Sequence, residues 1–578
     1  MTIENSTIII MWYQIVLSNK NDGVSRKKLD IPLSSAMKNI LEELVQHGWT
    51  GLVVGGAVRD AVTGQIPKDI DVEVYGPNFN DLAAVLKKHG HVLGGAADDI
   101  SGNTVIGKAF GVIKFRDDEG NDYDFSLPRR DSKTGDGHTG FDIQVDPNMT
   151  PQEAASRRDF TFNSLAYNPL TNELHDYFNG QEDLQNRILR ATDMEKFGED
   201  PLRVLRGMQF AARMGLTVEP KTAKLSQKLA SEIPNLYKSR ENPNGISRER
   251  VTEEFMKLAT KGKYPGSAIQ YLQDTGWVKY FPQVEAIIDV PQEFEWHPEG
   301  PVHIHTAHVM NAAAEIADRR GLKGDDRAVA IFAALGHDFA KAFTTEQREK
   351  GGKMRWTAHG HEEAGGPVVK EFLKSIGVKD GIVQRVVPLV TKHLNHINYK
   401  QENIPVSNVR NLAHELYPST IEDLVDLIEA DHSGRPPLPK ALPEQARWLL
   451  DAARSDGVHN QKPAQILTGK HVLPWFQGKT GPHVGKAVKE AYDAYLKGKY
   501  TTPEEAEAWL RSYMKANAQL LRGHDVLPYF NGKGGTQVGD ILNKAWDAQV
   551  AGEYDSQEAA RVWLENYMKS FNQKQNEN

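Results

Sequence analysis

Acidic side chains alternate with apolar ones in one short stretch of the sequence. The acids are Asp69, Asp71 and Glu73, and they alternate with one isoleucine and two valines at residues 70, 72 and 74. This period of two predicts a β-strand with the acids on one face and a core on the other. Like charges this close disfavour joint ionisation, whereas magnesium ions prefer oxygen ligands and serve nucleotidyl transfer in pairs. The stretch therefore predicts a pair of Mg²⁺ ions, with a solvated strand edge as the alternative.

An apolar run and two glycines come before this strand. Leu52 to Val54 suit a buried strand, and Gly55 and Gly56 suit a tight turn into a helix. Backbone N–H groups at a helix start bind phosphate readily. Arg59, one helical turn further along, offers a forked donor for an oxygen of a triphosphate.

The order of strand, Gly-Gly turn, Arg-Asp and acidic strand resembles the head of the nucleotidyltransferase superfamily to which DNA polymerase β belongs. More narrowly, GGAVRD followed by KDIDVEVYG looks like the first motif of the tRNA nucleotidyltransferase (CCA-adding) and bacterial poly(A) polymerase family. The resemblance implies template-independent addition of C, C and A to tRNA 3′ ends from CTP and ATP, with Mg²⁺ held by Asp69 and Asp71. Poly(A) synthesis, or addition of only CC or only A, stays open because these relatives share the head motifs.

A second acidic strand is predicted at residues 121–127. Asp124 is the candidate third metal carboxylate there, and Asp122 is its substitute. The segment from Pro128 to Asp142 is rich in glycine, charge and turn formers, which predicts a mobile loop. Such a loop either clamps the substrate or lies on the surface.

The stretch RRDFTFNSLA at residues 157–166 has, by itself, the composition of a helix start with capping polar residues. In the resembled family, RRDFT-x-N is the motif that holds the nucleotide ribose. The resemblance implies that Arg158, Asp159 and Asn163 contact the 2′-hydroxyl. It predicts a preference for ribonucleotides, because polar groups left unpaired by a missing hydroxyl are costly.

The acids and the proline of EDPLR, residues 199–203, mark the start of a helix, and capping with i,i+3 pairing is one interpretation. Asp200 offers only acceptors, and Arg203 offers only donors. Cytosine and adenine both present an amino donor beside a ring-nitrogen acceptor, so a fixed Asp/Arg pair would accept them and reject guanine and uracil. EDPLRVLRGMQFAAR resembles the family's amino-acid-template motif, which implies that Arg206 contacts phosphate or base. Residues 247–255 resemble the family's next neck-helix motif.

Histidines and acids recur between residues 296 and 431. A lone histidine is usually structural, but this set follows the order of HD-domain metal phosphohydrolases, which hold a divalent metal with imidazoles and carboxylates. The resemblance implies a divalent transition metal such as Mn or Ni, bound by helices of a bundle, and phosphatase or cyclic phosphodiesterase activity. The predicted ligands are His305, His337, Asp338 and Asp431, with His361 and His393 for a second metal position.

The tail contains an internal duplication. GKHVLPWFQGKTGPHVG at residues 469–485 matches GHDVLPYFNGKGGTQVG at 523–539, with a spacing of 54. Each copy predicts a small helical unit with a Gly-rich turn, and the pattern resembles the segment after the HD domain in CCA-adding enzymes. The lysines and aromatic residues either contact RNA or are solvated lysines and core aromatics. These residues are Lys470, Lys479, Lys533, Trp475 and Tyr529.

Length and composition limit the function classes. A chain of 578 residues predicts about three to five domains. The absence of cysteine excludes disulfides and thiolate zinc sites and fits a cytoplasmic protein. The formal charge of −8 means that RNA binding would use local basic patches. The apolar leader Ser6 to Leu17 is shorter than the roughly 20 residues of a membrane span and lacks the features of a signal peptide, so it predicts a poorly ordered or mis-started extension and no membrane partner.

Together these features predict a multidomain α+β protein with tRNA, CTP and ATP as partners. They do not determine the oligomeric state. An alternative of another class is a non-catalytic RNA-binding head that delivers substrates to an HD phosphohydrolase. Retention of Asp69, Asp71, Asp200 and Arg203 argues against that alternative. The predicted domains are a leader (1–30), a polymerase-β-like nucleotidyltransferase head (31–175), a mainly helical neck (176–290), a helical HD domain (291–445) and a helical tail (446–578).

Overall fold

The structure, a computed structural model, describes residues 23–93, 112–133, 141–239, 242, 245–400, 403–476, 478 and 480–576. The predicted leader up to residue 22 and Lys479 lie outside the described residues. The sequence also predicts a strand near residues 104–115, of which 104–111 lie outside them. The chain divides into two compact units. The first comprises the described part of Met1–His393 with Asp426–Leu442, and the second comprises Leu394–Val425 with Pro443–Asn578.

The head is built on one main β-sheet and a separate two-stranded ribbon. Its strands are β1 (Val24–Arg26), β2 (Thr50–Val54), β3 (Ile70–Tyr75), β4 (Gly90–Leu93), β5 (Val112–Asp117), β6 (Asp122–Ser126), β7 (Arg129–Lys133), β8 (Phe141–Val145), β9 (Ala166–Asn168) and β10 (Glu173–His175). Over the described residues, eight of them form one sheet in the order β1-β10-β9-β2-β3-β6-β5-β4. In that sheet β3 runs parallel to β6 and antiparallel to β2.

Helices cover the apolar face of the sheet, where Ile70, Val72 and Val74 are buried as predicted. Local signals set the helix starts: the side chain of Ser34 caps the first helix by accepting from the N–H of Met37 at 3.1 Å. The head helices are α1 (Ser35–Gln46), α2 (Gly56–Val62), α3 (Phe79–Leu86) and α4 (Pro151–Ser156), with a 3₁₀ turn at Thr161–Asn163.

The segment predicted as a mobile loop is partly regular. Backbone pairing joins Arg129–Lys133 to Phe141–Val145 as the antiparallel ribbon β7-β8, so the prediction of an irregular loop from Pro128 to Asp142 is wrong at both of its ends. Strand propensity depends on context, and these two strands form a ribbon separate from the main sheet, which composition did not predict. The middle of the segment, 134–140, lies outside the described residues.

The neck is mainly helical, with two short strands. Its elements are α5 (Gly180–Gln185), β11 (Ile188–Leu189), α6 (Met194–Phe197), α7 (Leu202–Met214), β12 (Thr217–Val218), α8 (Pro220–Glu232), α9 (Arg248–Lys261), α10 (Ser267–Asp274), a 3₁₀ turn (Trp277–Tyr280) and α11 (Pro282–Ala286). Helix α7 packs against α9 and α10. Its apolar residues recur at helical spacing, and Val204, Leu205 and Met208 are fully buried.

The remaining helices follow the prediction of an all-helical C-terminal half, with one exception. They are α12 (Val302–Arg319), α13 (Gly324–Gly336), α14 (Lys341–Thr344), α15 (His361–Ser375), α16 (Asp380–Lys392), α17 (Val406–Leu416), α18 (Ile421–Ser433) and α19 (Glu444–Ser455), with a 3₁₀ turn at Asn395–Asn398. The exception is an unpredicted hairpin of β13 (Glu346–Lys350) and β14 (Lys353–Thr357). Within the described residues, no helix combines the length and apolar character needed to cross a membrane.

The two tail copies fold alike. Their helices are α20 (Gly469–Val472), α21 (Pro482–Leu496), α22 (Pro503–Ala518), α23 (Gly523–Val526), α24 (Thr536–Val550) and α25 (Gln557–Asn576), with 3₁₀ turns at Leu473–Phe476 and Leu527–Phe530. Trp475 is half-buried and stacks on Trp546 with ring centroids 5.7 Å apart, which supports the core interpretation for this residue. Its counterpart Tyr529 is 43% exposed, and Lys470 and Lys533 are exposed.

A buried arginine joins the tail helices within the second unit. The guanidinium of Arg410, 2% exposed, donates to both carboxylate oxygens of Asp456 at 2.7 and 2.8 Å. It also donates to the backbone carbonyls of Tyr495 and Tyr500 at 2.9 and 3.0 Å. The side chain of Arg410 therefore connects α17 to the ends of α19 and α21.

We expect Arg410→Ala to lower the free energy of unfolding of this unit by about 3–5 kcal/mol, because it leaves the carboxylate of Asp456, only 12% exposed, without its cation. The matched control is Arg454→Ala, whose half-exposed side chain lies 3.4 Å from Glu422. This control should change the free energy by about 0.5 kcal/mol or less. Calorimetric unfolding of the full chain measures both, and equal effects of the two variants would contradict the prediction.

Candidate active sites

Three carboxylates of the head share one electrostatic environment. Asp71 on β3 lies directly beside Asp124 on β6 in the parallel register, and Asp69 comes immediately before β3. Partial desolvation raises the pKa of Asp71, and the negative charges of Asp124 and Asp69 raise it further against the opposing charge of Arg158. A bound cation would stabilise this arrangement, because its charge would offset the repulsion among the three carboxylates.

Glu73 has a different environment from Asp69 and Asp71, the two acids that precede it in the sequence. Its side chain is buried, accepts a hydrogen bond from the hydroxyl of Tyr75 at 2.7 Å and lies 3.4 Å from Nη2 of Arg158. Glu73 therefore holds Arg158 beside the acidic edge. Asp122, the substitute ligand, is instead paired with Arg116 at 2.6 and 2.8 Å.

The Gly-Gly turn brings the backbone close to the same arginine. Gly55 has φ +68°, and a Cβ there would lie 2.9 Å from Nη1 of Arg158, so only glycine fits without a shift. Gly56 opens α2. Arg59 is buried and donates to Asp60 and to Oδ1 of Asn163, both at 2.8 Å. In this structure Arg59 therefore links α2 to the predicted ribose motif.

Asp159 is the centre of that motif. It is buried and accepts from Asn163 Nδ2 at 3.0 Å and from Arg206 Nε at 2.7 Å. Burial by itself would raise the pKa of Asp159, but the charge of Arg206 and the hydrogen bond from Asn163 bring it below its usual value. The structure thus joins Arg59, Asn163, Asp159 and Arg206 into one chain of hydrogen bonds between the head and α7.

The two residues predicted to select the base are each fixed by another partner. Asp200, just before α7, accepts from Nη2 of Arg250 at 2.6 Å and from Nη1 at 3.3 Å. Arg203 donates to the backbone carbonyls of Lys196 and Arg157, each at 2.8 Å. The predicted pair is therefore held by its surroundings rather than by a mutual hydrogen bond.

All six predicted ligands of the HD region converge inside the first unit. In the described part of the chain they form two groups whose ligand atoms lie within 4.8 Å of one another. The helices α12, α15 and α18 carry His305, His361 and Asp431, and the other ligands lie just beyond α13 and α16. The first group is His305, His337 and Asp431, and the second is Asp338, His361 and His393.

Hydrogen bonds from Nδ1 turn the imidazoles inward. The Nδ1–H groups of His337, His361 and His393 each donate to the backbone carbonyl three residues earlier, at 2.8, 2.6 and 2.7 Å. Their Nε2 atoms face the interior, with those of His361 and His393 only 3.3 Å apart. This is how protein metal sites fix the ligating nitrogen of a histidine.

A carboxylate orients the fourth imidazole. Oε1 of Glu299 lies 2.8 Å from Nδ1 of His305 and 2.9 Å from Nδ1 of His297. Oδ1 of Asp431 lies 3.0 Å from Nε2 of His305. Burial would lower the pKa of His305, but hydrogen bonds with Asp431 and Glu299 raise it to about 9. A divalent cation would replace that proton, since metal ligands must be deprotonated.

Asp338 lies between the two groups. Its Oδ2 is 3.2 Å from Nε2 of His337, and its Oδ1 is 3.3 Å from Nε2 of His361. Although Nζ of Lys341 is 2.7 Å from Oδ2, neither carboxylate oxygen makes a hydrogen bond of normal geometry within the described residues. Buried carboxylate oxygens without hydrogen bonds are costly. The donor set therefore fits a pair of divalent metals with Asp338 between them.

Several of these contacts were not predicted from the sequence. Arg250 lies in the neck-helix motif at residues 247–255, and Glu299 lies in the region rich in histidines and acids, but neither was predicted to be a site residue. Lys341, three residues after Asp338, is also part of the cluster. A His-x-Glu spacing ahead of a predicted metal histidine was the available signal for Glu299, because such histidines commonly donate to a carboxylate.

An acidic parallel-strand edge on a mixed sheet, followed by a buried cluster of histidines and aspartates, defines a nucleotidyltransferase with an HD domain. The Poly A polymerase head domain family matches residues 52–190, and the HD domain family matches residues 302–436. The Multifunctional CCA protein of Xanthomonas oryzae pv. oryzae is 31% identical over 456 residues, which cover 76% of this chain and 96% of that protein. That of Xanthomonas campestris pv. campestris is 32% identical over 398 residues, with coverage of 66% and 85%.

The chain belongs to the family of multifunctional CCA proteins, and it is a tRNA nucleotidyltransferase of that family. The crystal structure of the Bacillus stearothermophilus CCA-adding enzyme in complex with CTP superposes with a TM-score of 0.52 at 19% identity, covering 85% of this chain and 100% of that one. The resemblance noted in the first motif and the predicted fold class are thereby confirmed.

Proposed function

We propose that this protein adds C, C and A to the 3′ ends of tRNA from CTP and ATP without a nucleic-acid template. The observation that carries the proposal is the pairing of Asp71 and Asp124 across β3 and β6, beside the hydrogen-bonded chain that leads to α7. The names of the relatives at 31% and 32% identity support it.

In this proposal different residues of the chain contact different parts of the nucleotide. Asp69, Asp71 and Asp124 hold Mg²⁺, which when bound supplies charge for the attack of the tRNA 3′-hydroxyl on the α-phosphate and for the departure of pyrophosphate. The turn at Gly55 and Gly56 presents backbone N–H groups to the phosphates.

The ribose and base have their own contacts. Arg158, Asp159 and Asn163 surround the ribose. Hydrogen bonds among these three residues hold their side chains in position before the nucleotide binds. Asp200 accepts from the amino group of the base, and Arg203 donates to its ring nitrogen. Arg206 lies beside Asp159 and completes the cation set around the nucleotide.

Nucleotide incorporation on a tRNA that lacks its 3′ terminus tests the proposal. We expect two cytidylates with CTP alone and a complete CCA end with CTP and ATP together. A product with CTP alone that ATP never extends indicates a CC-adding enzyme, and long adenylate runs indicate a poly(A) polymerase. If CTP is never used, the proposal fails.

We also propose that the HD region is a metal-dependent phosphohydrolase. The two ligand groups and the carboxylate oxygens of Asp338 that lack hydrogen bonds support a pair of divalent transition metals, of which Mn and Ni are the candidates. Hydrolysis of p-nitrophenyl phosphate and of a 2′,3′-cyclic nucleotide by the purified full-length protein tests this proposal. No hydrolysis with any divalent metal would refute it.

We expect Glu299→Gln to weaken metal binding by about 10- to 100-fold, the usual effect of removing a carboxylate that orients a metal-binding histidine. Glu299 accepts from Nδ1 of His305 at 2.8 Å, and an amide is a weaker acceptor. Competition with a metal chelator measures the affinity. The matched control is Glu295→Gln, whose half-exposed side chain pairs with Arg355, and an equal loss in this variant would contradict the prediction.

A further inference from the structure

An arginine 50 residues further along the chain, on another helix, orients the carboxylate of Asp200. Arg250 on α9 meets both of its oxygens in a fork, with N–O distances of 2.6 and 3.3 Å. Oδ1 also accepts from the backbone N–H of Leu202 at 3.1 Å. The Arg250 and Asp200 side chains are 28% and 23% exposed, so solvent competes only partly for the pair.

Helix α9 is itself fixed on two sides. Val251, Phe255 and Leu258 are fully buried, and the ring of Phe255 packs on Phe372 of α15 with centroids 6.0 Å apart. The hydroxyl of Thr252 donates to the carbonyl of Ile376 at 2.7 Å. Because its backbone is held in this way, α9 presents Arg250 as a rigid donor.

Arg203 is held by the main chain and not by a side chain of α9. Its two terminal nitrogens donate to backbone carbonyls at 2.8 Å, so its direction depends on the main chain and not on Arg250. Only the acceptor half of the predicted base-selecting pair therefore depends on a side chain of α9.

We propose that Arg250 is a positioning residue for nucleobase selection, which holds the carboxylate of Asp200 at the angle where it accepts from the amino group of cytosine or adenine. The proposal rests on the function proposed above, since that function assigns Asp200 and Arg203 to the base. Without the fork the carboxylate rotates, and the acceptor no longer has one position relative to the donors of Arg203. Lysine supplies one charge without the planar fork and restores selection only in part.

The test compares the ratio of kcat/KM for CTP over UTP, and for ATP over GTP, on tRNA substrates ending at the matching position. We expect R250Q to lose about 10- to 100-fold in these ratios, the range for a hydrogen bond to a charged group, and R250K to fall between R250Q and the wild type. The matched control is R248Q: Arg248 lies on the same helix, but its guanidinium stacks on Tyr237 at 5.2 Å. R248Q should keep the wild-type ratios.

The outcomes separate this proposal from the proposed function. A wild-type enzyme that uses neither CTP nor ATP refutes the proposed function before any variant is compared. Wild-type ratios in folded R250Q, or the same loss in R248Q, overturn the role of Arg250. If R250Q does not fold, R250K and D200N decide the matter: the double variant should lose no more selectivity than D200N alone, and additive losses overturn the proposal.

Discussion

An Asp71→Ala enzyme should lose incorporation of CTP and ATP by about 1,000-fold or more, because metal-borne charge stabilisation contributes several kcal/mol to such a transition state. Asp71 lies beside Asp124 across the parallel pair of strands, and burial, with the negative charges of Asp124 and Asp69, raises its pKa. Removing it leaves Asp69 and Asp124 without the carboxylate between them. Single-turnover incorporation of labelled CTP into tRNA lacking its terminus measures the loss.

The matched control for Asp71→Ala is Asp122→Ala. Asp122 lies on β6 two residues before Asp124, but it is 61% exposed and paired with Arg116, so its removal should leave incorporation within about twofold of wild type, as for other exposed surface pairs. Asp124→Ala should resemble Asp71→Ala. Full activity of a folded Asp71→Ala enzyme, or equal losses in the Asp122 and Asp124 variants, would exclude the proposed metal site.

The alternation of acids predicted the strand β3, but not that Glu73 would have a different environment from Asp69 and Asp71. A period of two places Asp69, Asp71 and Glu73 on one face, yet Glu73 is buried against Tyr75 and Arg158. Which acid faces solvent depends on what packs over each end of the strand, and that packing comes from a segment 85 residues away. Asp124 was found because its own strand shows the same alternation.

Long-range partners explain most of what the sequence left out. The prediction for Arg59 assumed a donor facing the substrate, whereas contact of α2 with the ribose motif gives it Asn163 as a partner. The i,i+3 spacing of Asp200 and Arg203 suggested a direct pair, but Arg250 approaches Asp200 from another helix. Local spacing predicts what shares a helix face, and it carries no information on the neighbouring helix.

The missed hairpin had a local signal. Its strands β13 and β14 are charged and largely exposed, so they lack an apolar period, and the whole region was interpreted as helical. The two glycines between the strands, Gly351 and Gly352, have φ of +63° and +74°. Two consecutive glycines with positive φ are typical of the tight turn of a hairpin, so this pair was a signal for one. The pair alone does not identify a hairpin, because Gly365 and Gly366 lie inside α15.

Asp338→Ala should lose phosphohydrolase activity and keep nucleotide incorporation. This variant removes a carboxylate that contacts both ligand groups, since the oxygens of Asp338 lie within 3.3 Å of Nε2 of His337 in the first group and of His361 in the second. Purified protein should lose bound transition metal, and phosphohydrolysis should fall by about 1,000-fold or more because the metals supply the charge and the nucleophile. CTP and ATP incorporation should stay close to that of the wild type, because the acids of the head are a separate ligand set.

Elemental analysis by mass spectrometry, hydrolysis of a 2′,3′-cyclic nucleotide and the incorporation assay, made on one preparation, measure the three quantities together. Asp326→Ala is the matched control, since this aspartate is 60% exposed and pairs with Arg385. Retention of metal and hydrolysis in Asp338→Ala would refute the HD proposal. Loss of hydrolysis and incorporation together in a folded variant would contradict two independent sites and would mean that the metal cluster also supports the neck, where Phe372 of α15 packs on Phe255 of α9.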